Sequence, residues 1–400
     1  MRRLRLSAVL LAGLLGLLAR AHARSAPPNP YPGYMSTTYS DPAHWLCRPD
    51  LDDVCDHGLD ATAVAPNGGT RIHRFKPARH PQIALADGEA LTSAELAART
   101  GCAERWVREW LCQQGAARVL EYRGGGRFAL PPEGRAVLAD ESSPACGVGF
   151  FAHLPGMMGI VERLPEAFRS GVGLPYDAFG AEGAGAIERG FAPWFRTMLV
   201  PFALPQVPGL VERLGQGAQV ADVGCGAGVA VLEMAKAFPR SAFHGWDVSE
   251  HALARAEENR RAAGAPNVTF HDARRESLPA DARFALVTTF DCLHDMTDPA
   301  GTMRHIRAAI RPDGVWLVCD IKARESYEEN VEKNPMAAMM YGTSVLTCMS
   351  SALSEPGGAG LGTLGLPPSV LRRMAEAAGF TRCDPLDLGH PVNAFYVLRP

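Results

Sequence analysis

The stretch QVADVGCGAGV, residues 219–229, constrains this chain more than any other. Val220, Ala221 and Val223 read as a short buried strand, and Gly224, Gly226 and Gly228 follow at alternate positions. VAVLEMAKAF then carries a helical pattern as far as Pro239. Strand, glycine turn and helix in that order bring a backbone close to a nucleotide-like ligand, because glycine enters left-handed turns without a Cβ in the way. The spacing narrows the ligand. A dinucleotide fingerprint needs G-x-G-x-x-G, and Val229 stands where its third glycine would be. Asp222, two residues before the first glycine, disfavours a pyrophosphate and favours a ligand with a positive amino group. A nicotinamide oxidoreductase is therefore the weaker reading.

Beyond the turn, strands and helices alternate. AFHGWDV is a second strand that carries Asp247 near its end, placed for ribose hydroxyls; the competing role of helix N-cap can be filled by Ser249. HALARAEENRRAAG is a helix that stops at Gly264, and VTFHDA is a third strand bringing Asp272 towards an adenine amino group. FALVTTFDCLHDM is a fourth strand with Phe290 and Asp291 at its tip. A helix from Pro299 to Arg311, a break at PDG and the strand VWLVCD follow, and the tail GFTRCDPLDLGHPVNAFYVLRP reads as a hairpin of two last strands. This order predicts an α/β chain with a doubly wound, seven-stranded, mostly parallel sheet over residues 218–400.

The upstream part is less uniform. MRRLR, the apolar run from Leu6 to Leu18 and the small-x-small AHA form a signal-peptide pattern over residues 1–23, too short to span a bilayer. Residues 24–90 are rich in Pro, Asp and Gly and read as a segment of unrelated origin; Cys47 and Cys55 could pair in a secreted context. Thr92-x-x-Glu95 is a capping box opening a short helix that Gly101 ends. AERWVREWLCQQG is a second helix, with Trp106, Val107, Trp110 and Leu111 expected on one face, and ARVLEYRGGGRFALP reads as a hairpin. Residues 91–140 thus look like a winged helix-turn-helix whose usual first helix is missing from ARHPQIALADGEA. Glu104 and Glu109 beside Arg105 and Arg108 make the second helix a poor nucleic-acid reader, leaving packing or homodimer formation. The aromatic-rich residues 141–217 read as lid and linker helices over a small-molecule pocket, or as ordinary core.

Composition excludes some functions. A net charge of −3 provides no field to recruit nucleic acid or an anionic membrane. Ten scattered cysteines without a CxxC or a Cys/His cluster argue against a zinc site, and no metal is expected.

VADVGCGAG, WDVS, FHDA, FDCLHDM and RPDG, in that order, resemble the class I S-adenosylmethionine (SAM)-dependent methyltransferases. With the winged helix and the insertion YGTSVLTCMSSALSEPGGAGLGTLG, residues 91–400 resemble a little-characterised subgroup first known from mycobacteria. That resemblance implies a Rossmann-like methyltransferase fold, SAM as cofactor and a small-molecule methyl acceptor, with O- or N-methylation. It implies that Gly224, Gly226 and Gly228 admit the cofactor, that Asp222 holds its ammonium directly or through water, and that Asp247 takes the ribose. Asp272 and Ala273 would face adenine, and Phe290 and Asp291 the methionine side. His294 and Asp295 stand where an acceptor would arrive: His294 either takes a proton from a hydroxyl or is a hydrogen-bonded loop histidine. NPMAAMMYGTSVLTCMSS is either an adaptable apolar wall or helix core. FDCL stands where an amino-methylating enzyme would carry N-P-P-aromatic, which weighs against DNA adenine or protein glutamine as acceptor. A SAM-sensing regulator and a catalytically idle fusion are the competing readings. YSDPAHWLCRPDLDDVCDHGLDATAV, within residues 26–76, resembles the start of a secreted α/β-hydrolase-like family, but no G-x-S-x-G elbow follows. The signal-like start points to the secretory pathway, whereas the SAM requirement points to a cytoplasmic catalytic part.

Overall fold

A computed structural model describes residues 61–64, 70–73, 85 and 87–400. The signal-like residues 1–23, the Cys47 and Cys55 pairing and nearly all of residues 24–84 lie outside the described residues. The chain divides into two units, Met1–Pro77 and Ala78–Pro400. In the first, β1 (Ala61–Val64) pairs antiparallel with β2 (Thr70–His73), Val64 opposite Thr70.

The second unit begins with the winged module. Helix Ser93–Thr100 opens with the expected capping box: the Glu95 amide donates to Thr92 Oγ1 at 3.3 Å and the Thr92 amide to Glu95 Oε2 at 2.8 Å. Gly101 ends it in a left-handed conformation. Val107 and Leu111 of helix Glu104–Ala116 pack with Leu85, Leu91, Leu96, Leu120 and Leu130. Trp106 is a correction: it is 79% exposed. The buried stripe runs through positions 107 and 111, one i,i+4 step, and Trp106 lies a third of a turn outside it. β3 (Glu121–Tyr122) and β4 (Phe128–Ala129) form the wing, closed by Gly124, Gly125 and Gly126, and Leu91 bridges to Phe128. No helix precedes Ser93 among the described residues; Leu85 and Leu91 cover that side of the small core.

The large sheet holds β5 (Gln219–Val223), β6 (Ala242–Asp247), β7 (Val268–Asp272), β8 (Phe284–Phe290), β9 (Ile310–Ile321), β10 (Arg382–Leu386) and β11 (Asn393–Arg399). Its order is β10-β11-β9-β8-β5-β6-β7, parallel except for the two antiparallel pairings of β11. It is the expected doubly wound, seven-stranded, mostly parallel sheet of a Rossmann-like fold. Every residue of β8 is buried, as a central strand covered on both faces requires. Alternate residues feed two cores. Val220, Phe243, Leu286 and Leu317 face one with helix Val229–Ala237, while Ala221, Trp246, Val287 and Trp316 face the other with helix Pro299–Ala309. One expectation is corrected. PDG does not precede the fifth strand but lies inside it: Phe284 pairs with Ile310, and pairing resumes at Leu286 with Val315. The irregular stretch between these pairs accommodates a bulge, whose extra residues turn without ending the strand.

Strand order reverses beside β5, whose neighbours β6 and β8 leave in opposite directions along the sheet. Open α/β sheets present their ligand crevice at the carboxyl ends of the strands at such a reversal. The glycine turn lies there.

Candidate active site

Gly224, Gly226 and Gly228 all have positive φ, at 75°, 54° and 74°. Their neighbours differ in kind. A Cβ on Gly224 would meet Cys292 Sγ at 2.6 Å, and one on Gly228 would run into the Phe270 ring, so these two glycines permit close packing. A Cβ on Gly226 meets nothing within 4 Å. Gly226 therefore borders open space, and its amide donates to Asp247 Oδ2 at 2.8 Å. An open cradle beside an acid fits a ligand carrying ribose hydroxyls and positive charge.

The acids around this cradle occupy distinct settings. Asp222, 1% exposed, accepts from Thr288 Oγ1 at 2.7 Å, and burial pushes its carboxyl up to about 7. Asp247 accepts from the Gly226 and Ser249 amides, so both oxygens are oriented by backbone; burial raises its carboxyl as well. Asp272 differs. Arg274 binds both its oxygens, Arg275 lies 3.3 Å away, and hydrogen bonding from Arg274 holds the carboxyl below its ordinary value. Ala273 is beside it, with its amide donating to the Asp247 carbonyl. Phe290 is buried, and Phe195 presents an edge to it at 5.0 Å between ring centroids. Asp291 adopts a left-handed φ of 58° and accepts from Asn393 Nδ2 at 2.7 Å; burial pushes it up to about 7.

The loop after β8 holds the remaining chemistry. His294 is 2% exposed and its Nδ1 lies 2.7 Å from Oδ1 of Asp320, itself 2% exposed. Burial opposes a charged ring, but Asp320 and then Cys348 outweigh it, holding His294 well above the ordinary imidazole value. Asp320 Oδ2 is buried without a hydrogen-bond partner. Asp295 accepts from the Tyr176 hydroxyl at 2.6 Å and is raised to about 7 by burial. Ligand atoms of His294, Asp295 and Cys348 lie within 4.8 Å of one another, as do those of Asp291, His294 and Asp320. In the second group the imidazole is paired with Asp320, and in the first Asp295 is paired with Tyr176.

Residues 214–363 match a methyltransferase domain. Residues 83–140 match the Rv2258c-like winged HTH domain, which takes in Leu85 upstream of the capping box. Neither match reaches residues 26–76, where the hydrolase-like resemblance lies. The ubiquinone biosynthesis O-methyltransferase of Paracidovorax citrulli is 29% identical over 119 residues, 29% of this chain and 48% of that protein. The protein of that name from Albidiferax ferrireducens is 32% identical over 103 residues, 25% of this chain and 40% of that protein. The chain thus spans about half the length, or less, of the curated relatives it matches. Among solved structures, an O-methyltransferase family protein from Burkholderia thailandensis superposes with a TM-score of 0.55 at 18% identity, covering 80% of this chain and 92% of that one. Human N-acetylserotonin methyltransferase, solved in complex with SAM, does so with 0.54 at 18%, covering 80% and 90%. These likenesses show a shared fold.

The site unites Asp222, the three glycines, Asp247, Phe290, Asp291, His294 and Asp295 around the reversal beside β5 and sets Asp272 apart with arginines. Asp320, Cys348 and Asn393 escaped sequence reasoning, and Tyr176 was covered only as one aromatic of the lid and linker stretch, residues 141–217. One signal for Asp320 was available: it ends VWLVCD as an acid at the tip of an otherwise apolar strand.

Proposed function

We propose that this chain is a SAM-dependent methyltransferase that methylates a hydroxyl of a small molecule, with His294 as general base. The observation that carries the reading is the buried His294–Asp320 pair beside the glycine cradle. When bound, SAM supplies a methyl group already activated on a sulfonium. The chain's own residues have the simpler tasks of binding, orienting and moving one proton.

Asp247, its oxygens preset by two backbone amides, suits the ribose. Gly226 leaves room for the backbone to be approached, and Asp222 and Asp291, which burial raises to about 7, ionise fully as a cationic group arrives beside them. Ala273 would lie at the adenine; Asp272 retains acceptor capacity beyond its arginine contacts but acts as a weaker reader than its position suggested. Phe290 and Phe195 exclude water. An imidazole whose Nδ1 is anchored to Asp320 has Nε2 to take the acceptor's proton once the hydroxyl replaces the neighbouring Cys348 thiol, and Asp320 stabilises the imidazolium that forms. Positive charge arriving in the pocket lowers the ring's proton affinity towards the range where it acts as a base. Asp295, fixed by Tyr176, helps orient the acceptor.

Nucleic acid is not the partner in this reading, since Arg105 and Arg108 are paired with Glu109 and Glu104 on the same helix. A homodimer is the assembly we infer, and the cytosol the place of catalysis, because SAM is made there. Among the described residues no helix is long and apolar enough to cross a membrane.

Methyl transfer from labelled SAM to a panel of hydroxylated aromatic and aliphatic metabolites tests the proposal. Transfer by the wild-type chain that falls at least about 100-fold in His294→Ala, with SAM binding retained, is the expected result. Tight SAM binding without transfer to any acceptor would favour a sensor instead.

A further inference from the structure

Residues 172–179 lie between two glycines with positive φ, Gly171 at 75° and Gly180 at 64°, and a Cβ on either meets nothing within 4 Å. The segment between them is tied down at both ends of the site. Towards the acceptor side, the Gly173 amide donates to the Leu353 carbonyl at 2.8 Å, the Leu174 amide to Ser350 Oγ at 2.8 Å, and the Tyr176 hydroxyl to Asp295 Oδ2 at 2.6 Å. On the cofactor side, Asp177 Oδ1 accepts from Ser249 Oγ at 2.5 Å, and Oδ2 accepts from the Glu250 amide at 3.3 Å, with Arg274 3.8 Å away.

Strand order gives these contacts their meaning. Asp295 follows β8 and Ser249 follows β6, and between those strands in the sheet lies β5, which ends in the glycine turn. Two adjacent residues that grip the loops after β8 and β6 must pass over the carboxyl end of β5. The span is two strand spacings, about 10 Å, within reach of a tyrosine and an aspartate side chain pointing apart. Ser249 is also the N-cap of helix Glu250–Ala263, so Asp177 sits where a helix terminus favours an acid. Burial holds the Tyr176 hydroxyl well above its ordinary value, so it remains a donor to Asp295.

We propose that residues 172–179 form a strap, hinged at Gly171 and Gly180, that crosses the glycine turn and gates cofactor exchange, with Tyr176 and Asp177 as positioning residues. The inference rests on the methyltransferase reading. Asp177 clasps the cofactor side through Ser249 and Glu250. Tyr176 clasps the acceptor side through Asp295. Release at either end opens the cleft, and closure of one segment sets both halves together. Product exchange then depends on residues that need not touch the reacting atoms.

The test measures S-adenosylhomocysteine release by stopped flow, together with steady-state kinetics, on Asp177→Ala, Ser249→Ala and Tyr176→Phe, with thermal midpoints recorded so that the drop expected from the lost N-cap in Ser249→Ala is separated from any change in release. Asp177→Ala and Ser249→Ala are expected to speed release about 5- to 10-fold and raise KM for SAM, with kcat within about threefold. Tyr176→Phe is expected to speed release and also lower kcat about 10-fold, since Asp295 loses its donor. Amide exchange of residues 172–179 should quicken in all three and slow when S-adenosylhomocysteine is added to the wild-type chain. Failure of the wild-type chain to bind SAM or S-adenosylhomocysteine overturns the methyltransferase reading and the gate with it. Normal binding with wild-type release rates in Asp177→Ala and Tyr176→Phe overturns the gate alone.

Discussion

The proposed cofactor half and the proposed acceptor half of this site are built in opposite ways. The cofactor half is local: Asp222, Gly224, Gly226 and Gly228 fall within seven consecutive residues, and Asp247 follows at the end of the next strand. Its acids are met mainly by near neighbours, Thr288 across one strand pairing and the amides of Gly226 and Ser249. The acceptor half is assembled from afar. His294, Asp320, Cys348 and Tyr176 come from four separate segments, joined by contacts such as Tyr176 to Asp295 across 119 positions. A shared cofactor needs one reusable strand-turn-helix, whereas an acceptor pocket takes whatever the lids and late strands bring to the same mouth.

This contrast can be broken at its strongest point first. His294→Ala should lower kcat about 100- to 10,000-fold while the affinity for SAM changes less than threefold, measured by isothermal titration. Loss of SAM binding of the same size would mean that the two halves are not separable. Asp320→Asn should lower kcat about 10- to 100-fold and move the kcat–pH profile, because without the carboxylate the ring loses its proton at lower pH. The same variant has a stability signature. The raised His294 contributes stability that is fully present below about pH 6.5 and lost as pH rises through its raised native value. Asp320→Asn should therefore lose about 3 kcal/mol at pH 6, read by denaturant melts, with a smaller loss at high pH.

Within the cofactor half, two glycines provide a finer test. Gly228→Ala drives a Cβ into Phe270 and should destabilise the fold by about 2 kcal/mol. Gly226→Ala has space for its Cβ and should cost only about 1 kcal/mol, from the left-handed backbone, while weakening SAM binding more than its neighbour does per unit of stability lost. Equal effects would mean that Gly226 does not border the ligand. The last test concerns Asp222 and reads the shape of a pH dependence. Its carboxyl is raised to about 7 from an ordinary 3.8, so the native state is favoured below about pH 4 and loses that contribution as pH climbs to 7. Asp222→Asn keeps an acceptor for Thr288 and should flatten the fall in thermal midpoint between pH 4 and 7. A wild-type pH dependence in that variant would place the titration on Asp291 or Asp295 instead.

Legibility in the sequence followed the same division. The β5 turn and the acids Asp222 and Asp247 could be read because glycine spacing and an acid at a strand end are local signals. The helix of the winged module was read with one error. Trp106 shares a helical neighbourhood with Trp110 but lies outside the stripe that Val107 and Leu111 bury, and periodicity alone does not say how wide that stripe is. PDG looked like a boundary because Pro and Gly commonly end strands, yet pairing of Ile310 with Phe284 carries β9 through it. His294 was visible as a candidate, but its partner was not, since Asp320 is 26 positions away and the two meet only when β8 and β9 lie side by side.

The sequence by itself determined the strand-turn-helix order, the parallel sheet it demands and the group of acids that suits a cationic nucleotide. These depend on interactions between residues close in the chain, where backbone geometry and hydrophobic period leave few choices. Tertiary structure decided which glycine borders open space, that Asp272 is claimed by arginines, that His294 is buried against Asp320, and that Tyr176 and Asp177 reach across the turn. Each of those depends on which distant side chains share one small, poorly solvated volume, and only the packed fold specifies that.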